Sequence, residues 1–112
     1  MKHPAFNVFS ADCPSRAAFE AIFSRWGILV LGFLGTEPTR FGALCRGIDG
    51  ISEKMLTQTL KVLEEQGLVH RTEWNEKPPR VEYSLTTAGV KVSRGITEVL
   101  EHLYEALDLT LT

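Results

Sequence analysis

The sequence predicts a mainly α fold with one small β-hairpin. Apolar residues recur at helical spacing in five segments, and two short stretches after the middle of the chain alternate with a period of two. Between those stretches Asn75-Glu76-Lys77-Pro78-Pro79 cannot pair as central strand, because proline lacks the N–H a ladder needs. At 112 residues the chain has material for one core, and residues 1–112 are expected to form a single domain.

Pro14 suits a first helical turn, and Phe19, Ile22, Phe23 and Trp26 follow at helical spacing, giving a helix from about Ser15 to Ser24. Gly27 and Gly35 bracket a second, strongly apolar helix, which Thr36-Glu37-Pro38-Thr39 breaks. In a third, ending near Gly47, Phe41, Leu44, Cys45 and Ile48 share one face. Ser52 is a good N-cap, Glu53 favours the first turn, and Gly67 is a stop, so a fourth helix runs from about Glu53 to Gln66. Strands follow around Val69 to Trp74 and Val81 to Leu85. From about Thr87, Val92, Ile96, Val99, Leu100, Leu103 and Leu107 hold an apolar stripe for more than four turns.

The N-terminal stretch from Met1 to Asn7 lacks the apolar run of an export signal, and no stretch approaches 18 apolar residues, so a cytoplasmic location without membrane contact is expected. Formal net charge is −2, but unevenly placed: residues 1–38 are neutral, 39–80 carry +1 and 81–112 carry −3. A local basic face can therefore form only in the middle.

Short helices, a hairpin and a closing helix follow one another in the order of a winged helix-turn-helix, in which the fourth helix would enter the major groove of duplex DNA. On that helix Leu56, Leu60 and Leu63 share one face, and Lys54, Thr57, Gln58 and Lys61 lie opposite. The plain reading of such a face is a solvated surface. Its place before a hairpin with Lys77 and Arg80 near the tip favours cations on phosphates and polar groups on base edges.

More specific than the architecture is a set of motifs. Cys13-Pro14, Arg25-Trp26, Arg40-Phe41-Gly42-Ala43-Leu44, the run from Gly50 to Leu60, Leu63-Glu64-Glu65-Gln66-Gly67-Leu68-Val69, and the run from Pro79 to Thr86 with Gly89 resemble the HxlR family in order and spacing, over about residues 13–104. The resemblance implies a dimeric transcription regulator that binds double-stranded DNA. It places the Ser52–Gln66 helix in the major groove and the Trp74–Val81 hairpin as the wing. The expected DNA-contact set is Arg40, Ser52, Lys54, Thr57, Gln58, Lys61, Lys77 and Arg80.

The terminal stripe is longer than a small core needs, so a homodimer seam is expected through Phe19, Phe23, Ile96, Val99, Leu103 and Leu107; the alternative folds the last helix back on its own domain. Cys13, at a helix start with Arg16 nearby, is a candidate redox-sensing residue for an oxidant or small-molecule effector, with packing as the plainer reading. Some HxlR-like regulators are thiol-based sensors, and the resemblance sets Cys13 at the family's N-terminal cysteine. Cys45 reads as core. His3, His70 and His102 show no metal-ligand spacing with either cysteine, and no phosphate loop, Gly-x-Ser-x-Gly elbow or His-Glu-x-x-His run occurs. No metal, no cofactor and no enzymatic activity are expected.

Overall fold

A computed structural model describes residues 7–108. His3 and the rest of the stretch before Asn7 lie outside the described residues. Eight elements follow in order: α1 (Ser15–Ile22), α2 (Arg25–Phe33), β1 (Thr39–Arg40), α3 (Phe41–Gly47), α4 (Glu53–Glu65), β2 (Val69–Trp74), β3 (Arg80–Leu85) and α5 (Thr87–Ala106).

The expected helices are present, with one shifted boundary that has a clear cause. α1 stops at Ile22 and α2 begins before Gly27, because the Ser24 hydroxyl oxygen accepts from Gly27 N–H at 3.0 Å and its hydroxyl donates to the Ala21 carbonyl at 3.0 Å. Gly27 is thus inside the second helix, where a Cβ would collide with the Ala21 carbonyl oxygen. The glycine permits close crossing of the two helices rather than ending one.

The sheet has three strands, in the order β1-β3-β2, rather than two. β2 and β3 pair antiparallel from Val69 opposite Leu85 to Trp74 opposite Arg80, leaving residues 75–79 as the hairpin tip. β1 adds Thr39 opposite Tyr83 and Arg40 opposite Glu82. Two residues are too few to display a period, and the partner strand lies some forty residues away, so only the folded chain reveals this strand.

The core joins Val30 and Leu31 of α2, Leu44 of α3, Leu56, Leu60 and Leu63 of α4, Val69 and Tyr83 of the sheet, and Ile96 of α5. Cys45 packs against it, as expected. Ile96 departs from the expected dimer seam: it is 4% exposed and faces α2, with its Cγ2 within contact distance of a Cβ built on Gly32. It belongs to the protomer's own core. The stripe of α5 is continuous, but its first half (Val92, Ile96) covers that core, while Val99, Leu103 and Leu107 remain 60%, 45% and 59% exposed.

Candidate nucleic-acid interface

α4 is fixed at both ends. The Ser52 hydroxyl oxygen accepts from Met55 N–H at 3.0 Å, and Glu53 stands in the first turn, where an acid suits the positive end of the helix dipole. At the other end Gly67, with φ +76°, donates to the Glu64 carbonyl at 2.9 Å, and Leu68 N–H reaches the Leu63 carbonyl at 3.0 Å, a Schellman stop. Leu56, Leu60 and Leu63 are all but completely buried. Each contributes about 1.5–3 kcal/mol of burial, so the rotation of the helix about its axis is set by its inner face.

That rotation leaves Lys54, Thr57, Gln58 and Lys61 exposed together. Thr57 Oγ1 donates to the Glu53 carbonyl at 2.8 Å, which spends its proton inside the helix and leaves the oxygen as an acceptor beside a methyl group. Gln58 can both donate and accept. Lys54 and Lys61 form no ion pair among the described residues. On its α1 side, the outer face of α4 borders a shallow, mostly apolar groove lined by Ala17, Ala21, Met55, Gln58 and Val62.

Around α4, Arg40 is exposed at the N-cap position of α3, and Lys77 is exposed at the hairpin tip. Arg80 behaves differently from the expectation of an open tip cation. It lies in β3 with its Nη2 3.0 Å from a Glu76 carboxylate oxygen, its Nε 4.0 Å from Glu82, and its guanidinium 5.0 Å from the centroid of the Trp74 ring. Trp74 Nε1 in turn donates to Glu82 at 2.8 Å. The four side chains close a network across the hairpin, in which the charge of Arg80 is already matched. Neither Trp74 nor Glu82 was in the expected set; the alternating pattern shows them as strand residues but not as cross-strand partners.

On the neighbouring strand Arg71 is held firmly in its charged form, mainly by the Tyr83 hydroxyl and then by the Glu73 carboxylate at 3.1 Å. At the start of α2 the exposed Arg25 stacks 4.7 Å above the ring of Trp26.

Cys13 precedes α1, with its Sγ 3.0 Å from Ser15 Oγ. The thiol is held below the ordinary cysteine range, chiefly by the Ser15 hydroxyl; partial burial opposes this, and the backbone N–H groups of Ser15 and Asn7 add to it. The nearby Arg16 is turned elsewhere, to the Val8 carbonyl at 3.2 Å and to Glu20 at 3.5 Å.

Among the described residues no group of three or more His, Cys, Asp or Glu could hold a metal ion, and no helix is long and apolar enough to cross a membrane.

The family model of the HxlR-like helix-turn-helix matches residues 21–109. The HTH-type transcriptional regulator YtfH of Escherichia coli K12 is 43% identical over 95 residues, which span 85% of this chain and 75% of that protein. The solved structure of ytfH from Salmonella typhimurium superposes with a TM-score of 0.83 at 40% identity, covering 92% of each chain. The redox regulator HypR in its oxidized form superposes with a TM-score of 0.72 at 30% identity, covering 84% of this chain and 96% of that one. A capped α4, a braced hairpin and these likenesses agree: the chain belongs to the HxlR-like helix-turn-helix family, and is a DNA-binding transcription regulator with a winged helix-turn-helix fold and not an enzyme.

Proposed function

We propose that the chain acts as a homodimer reading two half-sites, with α4 of each copy in a major groove and the β2–β3 wing on the flanking backbone or minor groove. The observation that carries this reading is the division of α4: three leucines fully committed to the core and, opposite them, Lys54, Thr57, Gln58 and Lys61 open to solvent. Base contacts fall to Gln58 and Thr57, and phosphate contacts to Ser52, Lys54, Lys61, Arg40 and Lys77. Arg80 serves the wing as a brace, so its phosphate contact is limited by its carboxylate partners.

The dimer reading is supported by unpartnered apolar surface at two places. Phe19 and Phe23 lie with tilted rings 5.0 Å apart at the end of α1, and Val99, Leu103 and Leu107 project where α5 outruns the core. Within the protomer α1 packs on α2 and α4, whereas α5 packs on α2 and β3. A twofold mate can cover both patches, and such symmetry sets the two reading helices about one DNA turn, roughly 34–36 Å, or a multiple apart.

Cys13 is the site through which an oxidant or electrophile would act. Its support is the Ser15 contact that favours thiolate, together with the likeness to a solved redox regulator. A mobility shift on genomic fragments, with and without a thiol oxidant and with sedimentation of the free protein, tests all three parts. A monomer, a protein that shifts no fragment, or binding unmoved by the oxidant would remove the corresponding part.

A further inference from the structure

Arg25 and Trp26 stand at the start of α2, outside the contact set named above. Trp26 is half-buried against the core, and its ring reaches the turn that delivers α4: a Cβ built on Gly50 would lie 3.7 Å from Trp26 Cη2. Gly50 has φ +85° and is two residues before the Ser52 cap. The Arg25 guanidinium lies over the same ring, 4.7 Å from its centroid. An exposed cation is thus held one indole away from the start of the reading helix.

Stacking uses the flat face of a guanidinium and leaves its in-plane N–H donors open to a bidentate acceptor. Arg16, Arg71 and Arg80 each spend charge on a carboxylate, Glu20, Glu73 and Glu76 respectively, but Arg25 forms no ion pair among the described residues. Nor does helix stability account for it, since a cation in the first turn opposes the helix dipole. Donors held over the indole, without a carboxylate partner among the described residues and beside the reading helix, fit an anion with two oxygens. When α4 lies in a groove, the phosphates at the groove edge are the anions that pass this turn.

We infer that Arg25, plated on Trp26, clamps a backbone phosphate beside the reading helix. The inference depends on α4 being the groove-bound helix.

Because a phosphate contact carries no sequence information, a labelled random-sequence duplex of about 30 base pairs is a sufficient probe. Its binding is followed by anisotropy between about 50 and 200 mM salt for wild type, Arg25→Gln, Arg25→Lys, Arg25→Glu and Lys54→Ala. Arg25→Gln should lower the slope of log K against log salt by about one, so that the affinity lost over this range is about 3.5-fold smaller. Arg25→Lys should keep the slope, and Arg25→Glu should lower it further. A wild-type slope retained in both Arg25→Gln and Arg25→Glu overturns the inference. In that event a slope lowered by Lys54→Ala leaves the α4 reading standing, and an unchanged one removes it as well.

Discussion

The hydroxyl of Thr86 donates a 2.7 Å hydrogen bond to the carbonyl of Gly67, joining the residue that caps α5 to the residue that stops α4. The same hydroxyl oxygen accepts from Gly89 N–H at 3.0 Å, and Thr86 N–H donates to the Leu68 carbonyl at 3.1 Å. A Cβ on Gly89 would collide with that Leu68 carbonyl oxygen. The end of α4 and the start of α5 are therefore locked at one corner, which fixes the angle between the two helices.

Gly89→Ala should accordingly cost about 1–3 kcal/mol, because backbone, not a flexible side chain, stands in the way. Thr86→Ala should cost about 0.5–2 kcal/mol through the lost cap. Urea denaturation of both variants checks this. Gly95→Ala, which meets nothing within 4 Å, is the control and should be neutral or stabilising.

On α4 the proposed base readers and phosphate holders should respond differently to substitution. Gln58→Ala should lose about 1–3 kcal/mol on a recovered operator and little on random DNA. Lys61→Ala should weaken both and lower the salt slope by about one. Equal losses on the two DNAs for Gln58→Ala would strike it from the specificity set.

How much of this was readable from the chain follows the range of the forces involved. Ser52 and Gly67 act on backbone within a few residues of themselves, so the limits of α4 were legible locally. Periodicity likewise marked Leu56, Leu60 and Leu63 as one face. It could not tell Ile96 from Val99, because both lie on one stripe and only the position of α2 decides which is covered. Nor could it show that Arg80 faces Trp74 and Glu76, or that Thr39 and Arg40 pair with a strand far along the chain.

That division of the α5 stripe yields a contrast. Ile96→Ala should destabilise the protomer by about 2–5 kcal/mol, as for any large aliphatic removed from a core. Leu103→Glu should leave the protomer folded and abolish the dimer, since it would bury an unpaired carboxylate only in the assembly. Circular dichroism reads the first effect and sedimentation the second. A Leu103→Glu protein that still sediments as a dimer would move the interface elsewhere.

The wing network predicts a gain. Glu76→Gln releases Arg80 from its closest carboxylate, at 3.0 Å, and should raise both affinity for random DNA and the salt slope, the latter by about one. In an Arg80→Ala background the same change should do much less, and the difference is the coupling that a double-mutant cycle measures. Equal gains in the two backgrounds would mean that Glu76 acts only as a diffuse negative charge.

Ser15 decides how reactive Cys13 is. Its hydroxyl, 3.0 Å from the sulfur, is the largest of the influences that hold the thiol below its ordinary range, and Arg16 is occupied by Val8 and Glu20. A depressed thiol titration means that the thiolate is already formed at a pH where an ordinary cysteine is protonated. The rate of alkylation by iodoacetamide, plotted against pH, should therefore have its midpoint below that of a small-molecule thiol. Ser15→Ala should move the midpoint upward, whereas Arg16→Ala should leave it nearly in place. If oxidant sensitivity of DNA binding runs through this thiolate, Ser15→Ala should also need a higher pH or more peroxide for the same loss of binding, and Cys13→Ser should show none. A midpoint unmoved by Ser15→Ala would break the link between this contact and the thiol. A loss of binding that persists in Cys13→Ser would place oxidant sensing at another residue.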